Sequence, residues 1–222
     1  MARGFFIAGT DTGVGKTLVT CTLLERARAD GQRAAGMKPV AAGCEHTPDG
    51  LRNDDALALI AHAGIAVDYA TVNPVALPDP LSPHLAAARA GVAIDLACVR
   101  PAYDALAARA ELVLVEGAGG WLAPLTDTTT MADLARELAL PVILVVGLRL
   151  GCLNHAQLSA RAIAADGCVL AGWIGSVIDP GMAAQQDNLD TLRLRLPAPC
   201  LGVLPWAPDE PPERLAGLLR LP

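Results

Sequence analysis

The sequence predicts an α/β fold, one domain over residues 1–222 in which a mostly parallel sheet is covered by helices on both faces. Three observations carry this reading. Short apolar runs alternate with longer amphipathic stretches, the pattern of strand–helix–strand units. Two of the runs, Leu112-Val113-Leu114-Val115 and Val142-Ile143-Leu144-Val145-Val146, are apolar at every position, as strands buried on both faces must be. The first run, Phe5-Phe6-Ile7-Ala8, leads straight into a glycine-rich segment and then a helical pattern.

In chain order, strands are expected near 4–8, 33–37, 111–116, 141–146, 169–178 and 200–204. Helices are expected near 16–29, 54–63, 83–90, 95–109, 130–138, 154–165, 182–195 and 212–219. Between the first strand and first helix stands Gly9-Thr10-Asp11-Thr12-Gly13-Val14-Gly15-Lys16-Thr17. Backbone N–H groups of such a loop and of the following helix N-terminus converge on one point, so an anion there is stabilised. Lys16 reaches terminal phosphates and the Thr17 hydroxyl holds Mg²⁺, which makes the fold P-loop NTPase-like. Five residues separate Gly9 from Gly15, one more than in a standard Walker A loop, and Thr10 stands where the first glycine is usual.

The second strand runs into Lys38-Pro39, where the proline imposes extended backbone on the lysine. A second cation beside Lys16 would offset charge on a transferring phosphoryl group; a solvated lysine at a strand end reads the same way. Asn53-Asp54-Asp55 opens the next helix, with Asn53 as its cap and two acids complementing its dipole, and nothing local selects either aspartate as a ligand. The proline-rich stretches Asn73 to Pro83 and Ala207 to Pro212 read as surface loops. The strand ending at Glu116 is followed by Gly117-Ala118-Gly119-Gly120, which places a carboxylate opposite a nucleotide-bound Mg²⁺ and lets backbone approach phosphate closely. Gly147 to Asn154 follows the next strand at the same carboxyl edge, where ligands of open α/β sheets bind. His84, Cys152 and His155 read equally as packing or as loop contacts.

Composition excludes several functions. Hydrophobic residues make up 53% of the chain, but the longest apolar run, Leu138 to Leu148, is broken by Pro141 and Gly147 and falls short of the ~18 residues of a membrane span. A net charge of −6 and 3% aromatic content argue against nucleic acid as a partner. Six cysteines without a CxxC pair, and no signal segment ahead of the first motif, indicate reduced thiols in the cytoplasm. Four histidines without HxxxH spacing give no support to zinc.

Taken together, the motifs resemble those of dethiobiotin synthetases. The phosphate loop matches with its extra residue, and so do Gly36-Met37-Lys38-Pro39-Val40, Leu51-Arg52-Asn53-Asp54-Asp55-Ala56-Leu57, Ala70-Thr71-Val72-Asn73-Pro74 and Ser82-Pro83-His84. Val113 to Trp121, Gly151-Cys152-Leu153-Asn154-His155-Ala156, Leu170-Ala171-Gly172-Trp173 and Leu204-Pro205-Trp206 follow in order, so the resemblance spans residues 5 to about 207. It implies a homodimeric ligase acting on 7,8-diaminopelargonic acid, CO₂ (or bicarbonate) and MgATP. An amine takes up CO₂ as a carbamate, the γ-phosphoryl group of ATP activates it, and the second amine closes the ring.

The resemblance also implies residue roles. Gly13, Val14, Gly15, Lys16, Thr17, Leu18, Asp55, Glu116, Gly117, Ala118, Gly119, Ser176, Val177, Pro205, Trp206 and Ala207 are expected to bind the nucleotide. Thr12, Lys38, Ala42, Ser82, Gly151, Cys152, Leu153 and Asn154 are expected at the substrate, the last four partly from the neighbouring subunit. Thr17, Asp55 and Glu116 are expected to hold Mg²⁺. Lys16 and Lys38 are expected to act in catalysis by holding the attacking amine neutral through like-charge repulsion and then stabilising the carbamate.

The chain departs from the family pattern in two places. Ala42 stands where a hydroxyl residue is common, and Ser176-Val177 replaces a pair of the Asn-Asp type that reads adenine, so other nucleoside triphosphates are expected to serve. Among rival readings, a nucleotide-switched partitioning or positioning ATPase of related fold would carry lysine in place of Asp11. A GTPase would show an Asn-Lys-x-Asp motif and a small-molecule kinase an arginine-rich lid, neither of which occurs here.

Overall fold

All six expected strands form, and they build one sheet. In the computed structural model, which describes residues 2–222, these are β1 (Arg3–Gly9), β2 (Ala34–Met37), β3 (Leu112–Gly120), β4 (Val142–Leu148), β5 (Leu170–Val177) and β6 (Cys200–Leu204). They pair in the order β6-β5-β4-β1-β3-β2, and every pairing is parallel. The helices are α1 (Lys16–Ala29), α2 (Asp54–Ala61), α3 (Tyr69–Val72), α4 (Pro83–Ala90), α5 (Val99–Ala107), α6 (Met131–Leu138), α7 (Cys152–Ala165), α8 (Gln185–Arg195) and α9 (Pro212–Leu215).

Alternation along each strand divides the core into two layers. Phe6, Val113, Val115, Leu144, Val146 and Trp173 pack with apolar residues of α5, α6, α7 and α8. Phe5, Ile7, Leu112, Leu114, Ile143, Val145 and Ile174 point the other way, against Val19, Leu23 and Leu24 of α1, Leu59 of α2 and Leu215 of α9. Both faces are therefore dry, which is why the strands read as unbroken apolar runs. β1 lies between β3 and β4, so the loops leaving β1 and β3 face each other across the point where strand order reverses, the usual ligand crevice of such sheets.

The stretch from residue 38 to 83 differs from expectation. Val75–Leu77 pairs in parallel with Val40–Ala42, Glu45–Thr47 and Gly50–Arg52 form an antiparallel hairpin, and α3 precedes Asn73. Asn73 to Pro83 is thus not simply a surface loop, because Asn73, Val75 and Leu77 are buried. Its prolines bracket a strand of only three residues, too short to register as a periodic pattern. Near 95–109 and 212–219 the chain forms a helix with an adjoining 3₁₀ turn, Leu96–Cys98 before α5 and Ala216–Leu218 after α9. No helix among the described residues is long and apolar enough to cross a membrane.

Candidate active site

The phosphate loop is held open by its neighbours. Gly13 and Gly15 adopt φ of 71° and 85°, a region that suits glycine and few other residues. The Thr10 N–H donates to the Val145 carbonyl at 2.9 Å, and the Gly147 N–H donates to Thr10 Oγ1 at 3.3 Å. Asp11 accepts from the Thr12 N–H at 2.8 Å and pairs with Arg149 at 2.7 Å. Gly15 caps α1 without any side chain, which leaves the first-turn N–H groups of the helix for an anion. Lys16 folds over the loop, with Nζ 3.0 Å from the Asp11 carbonyl oxygen. Burial, and then the nearby Lys38 charge, lower its pKa to about 8.

Opposite Lys16 lies a cluster built from four elements. β2 pairs with β3 so that Met37 faces Val115, and one step further brings Lys38 beside Glu116. The Lys38 Nζ is 2.6 Å from Glu116 Oε1 and 2.8 Å from Asp55 Oδ2, and it reaches the Gly117 carbonyl at 3.4 Å. Thr17 Oγ1, on the first turn of α1, is 2.8 Å from Asp55 Oδ1 and 3.0 Å from Glu116 Oε1. Asp55 arrives on the first turn of α2, which Asn53 caps by accepting the Ala56 N–H at 3.2 Å. α2 itself sits tightly on β2: a Cβ at Gly36 would lie 2.8 Å from Leu59 Cβ.

The electrostatics follow from this geometry. Burial opposes the Lys38 charge, but Glu116 and Asp55 outweigh it and hold its pKa above the ordinary lysine value. Burial likewise opposes the Asp55 carboxylate, and the Lys38 charge with hydrogen bonds from Lys38 and Thr17 outweighs it and draws that pKa down. Glu116 Oε2 is buried with no hydrogen-bond partner among the described residues. An orphaned carboxylate oxygen costs free energy unless something fills it, and the Thr17, Asp55 and Glu116 oxygens form a hard donor set suited to Mg²⁺.

A cleft of about 840 Å³ opens over the cluster. It gathers Thr12, Gly13, Gly15, Lys16, Thr17, Lys38, Ala42, Asp55, Ser82, Glu116, Ala118 and Gly119 of the expected set. Gly117 lends its carbonyl to Lys38, Val14 is buried in the core, and Leu18 lies in the first turn of α1. Ser176 is buried against the loop, so that a Cβ at Gly15 would sit 2.6 Å from its Oγ. Val177 ends β5, and Pro205, Trp206 and Ala207 follow β6 with Trp206 half exposed. Gly151, Cys152, Leu153 and Asn154 open α7 outside the cleft lining, with Cys152 buried in the core.

Several members were not legible from sequence. Asn53, foreseen as a cap, also lines the cleft, as do Ala41, Pro80, Leu81 and Ala123. The Asp11–Arg149 pair joins residues 138 positions apart, and only the strand order brings them together.

Residues 3–214 match a family model described as "AAA domain". The chain is 55% identical over 218 residues to the ATP-dependent dethiobiotin synthetase BioD of Xanthomonas euvesicatoria pv. vesicatoria, covering 98% of this chain and 97% of that protein. It is 51% identical to the BioD protein of Pseudomonas paraeruginosa, covering 98% and 96%. Among solved structures, the signal recognition particle receptor FtsY of Elizabethkingia anophelis superposes with a TM-score of 0.59 at 16% identity, over 96% of this chain and 59% of that one. The MinC:MinD cell division complex of Aquifex aeolicus gives 0.58 at 17% identity, over 94% and 83%. At such identities the two structures bear on the fold alone, whereas the curated relatives match from end to end. The chain belongs to the family of bacterial ATP-dependent dethiobiotin synthetases.

Proposed function

We propose that this protein is an ATP- and Mg²⁺-dependent ring-closing ligase that converts 7,8-diaminopelargonic acid and CO₂ to dethiobiotin, releasing ADP and phosphate. The observation that carries the reading is the joining of a phosphate loop to the Thr17–Asp55–Glu116–Lys38 cluster in one cleft. One substrate amine attacks CO₂ and loses a proton to give a carbamate. A carbamate oxygen attacks the γ-phosphorus and ADP leaves. The second amine attacks the carbamate carbon, and phosphate departs with the bridging oxygen.

The residues divide this work by position. The loop N–H groups and Lys16 bind the phosphates and stabilise charge building on the transferring group. Thr17, Asp55 and Glu116 would hold Mg²⁺, which when bound neutralises charge on the nucleotide phosphates. Lys38, at the cleft edge of the carboxylates, presents a fixed positive charge to the anionic carbamate, with Thr12 across the cleft. Ala42 offers no hydroxyl to the substrate, a loss of about 0.5–1.5 kcal/mol in binding. We take the enzyme to be a cytoplasmic homodimer. Gly151 to Asn154 outside the cleft lining, next to Leu150 at 89% exposure, supports their serving a neighbouring subunit's substrate.

The test is mass-spectrometric detection of dethiobiotin after incubation with 7,8-diaminopelargonic acid, bicarbonate, Mg²⁺ and ATP, with CTP and GTP in parallel. Product with any nucleotide supports the ligase, and its absence from folded, nucleotide-binding protein refutes it. Ser176 is buried and Val177 is apolar, so neither side chain presents the amide or carboxylate of a base-reading pair. The three nucleotides are expected to agree in kcat/KM within about 100-fold, whereas a site built to hydrogen-bond one base discriminates by about 10⁴ or more. Strict ATP preference would contradict the role given to these two positions.

A further inference from the structure

Behind the cleft, a chain of hydrogen bonds ends on the two segments whose spacing defines the cluster. Asn73, 3% exposed, donates from Nδ2 to the Lys38 carbonyl at 2.7 Å and to the Val75 carbonyl at 3.2 Å. Its Oδ1 accepts the Tyr69 hydroxyl at 2.9 Å. That hydroxyl accepts in turn the Asn53 N–H at 2.7 Å. Asn53 caps α2, and Asp55 is the second residue of that helix. The Arg52 guanidinium lies 4.3 Å from the centre of the Tyr69 ring.

The Tyr69 hydroxyl stands in the middle of this path, donating to Asn73 and accepting from Asn53. Lys38 follows β2, while Asp55 lies in the first turn of a helix that follows a hairpin, and no strand pairing fixes one against the other. Removing the hydroxyl leaves the Asn53 N–H and Asn73 Oδ1 each short of a partner. The path from Lys38 to Asp55 then loses its central link, although the ring and its stacking remain.

We propose that Tyr69, acting through Asn73 and Asn53, is a positioning residue that sets Asp55 against Lys38 and thereby holds the Thr17–Asp55–Glu116 oxygens ready for a divalent cation. This rests on the functional reading above. The experiment compares wild type, Tyr69→Phe and Tyr103→Phe, the same deletion at the chain's other tyrosine, which lies on α5 away from the cleft. Calorimetry measures affinity for a non-hydrolysable ATP analogue with and without Mg²⁺, and turnover to dethiobiotin is followed beside it.

Tyr69→Phe is expected to lose about 10-fold or more both of the Mg²⁺-dependent gain in affinity and of kcat, the usual effect of removing an outer partner of metal ligands. Metal-free affinity is expected to stay within about twofold, and Tyr103→Phe to keep all three values. A Mg²⁺-dependent gain and kcat within about twofold of wild type would overturn the proposal, as would an equal loss of metal-free affinity. If Tyr69→Phe does not fold, Asn73→Ser breaks the same link from its other end and carries the same expectations. Wild-type protein that binds the analogue but forms no dethiobiotin would refute the functional reading, and the calorimetry would still decide the positioning role.

Discussion

Lys38→Gln is expected to lower kcat by about 10³-fold, the scale on which fixed charges act on a developing anion in a water-excluded site. Glutamine keeps length and a hydrogen-bond donor but removes the charge that faces the carbamate. The substitution should also destabilise the metal-free protein. Lys38 is the cation beside Glu116 and Asp55, with side-chain exposures of 5% for the lysine, 0% for Glu116 and 41% for Asp55. Stripping one partner from a buried pair costs about 3–5 kcal/mol, and the open side of Asp55 reduces this to about 2–4 kcal/mol. In a chain of this size that is a fall in Tm of about 5–15 °C. Mg²⁺ meets the same carboxylates, so millimolar Mg²⁺ should restore much of the Tm without restoring kcat. Calorimetric scans with and without Mg²⁺, beside product assays, check both halves. A kcat within about tenfold of wild type would remove Lys38 from the chemistry.

Gly15→Ala is expected to weaken nucleotide binding by about 100-fold or more while leaving the sheet intact. Two independent effects converge at this position. The backbone φ of 85° is strained for any L side chain, and an added Cβ would sit 2.6 Å from Ser176 Oγ. Relief requires the loop to shift, which turns its N–H groups and Lys16 away from the phosphates, and misplacement of about 1 Å can cost on the order of 100-fold. Fluorescent-nucleotide titration reads the loss, and far-UV circular dichroism confirms the fold. Gly13→Ala is a useful contrast. There φ is 71° but nothing lies within 4 Å of the added atom, so the loss should be smaller.

The sheet was legible because its chemistry is redundant. The central strands are runs buried on both faces, and the first runs straight into a glycine-rich loop and a long helical pattern. The region from residue 38 to 83 was not. A strand of three residues between Pro74 and Pro78 and a helix of four at Tyr69–Val72 are stabilised by burial against neighbours distant in sequence, which leaves no periodic trace. The site divides in the same way. Lys16 and Thr17 stand at fixed offsets from the end of β1, and Glu116 closes an apolar run before a glycine segment, so their roles followed from local order, although β3 itself runs on to Gly120. Lys38 and Asp55 looked equally like a solvated lysine and a helix-dipole acid, and only the β2–β3 register and the seating of α2 bring them within 2.8 Å. The cap at Asn53 was foreseen for its helix, but its link to Tyr69 requires the fold.

The likeness to the MinC:MinD complex concerns the fold alone. The rival reading, a nucleotide-switched partitioning or positioning ATPase, would use a lysine where this loop has Asp11, and here Asp11 is tied to Arg149. Isotope tracing separates the two chemistries most directly. With ¹⁸O-labelled bicarbonate, equilibrated to labelled CO₂, the proposed route sends one carbamate oxygen into the phosphate released with ADP and leaves the other in the ring carbonyl. Mass spectrometry of the phosphate is expected to find one ¹⁸O per turnover, with one dethiobiotin formed for each ADP. Unlabelled phosphate would mean that water, not a carbamate, attacks ATP, and would contradict the ring-closing mechanism.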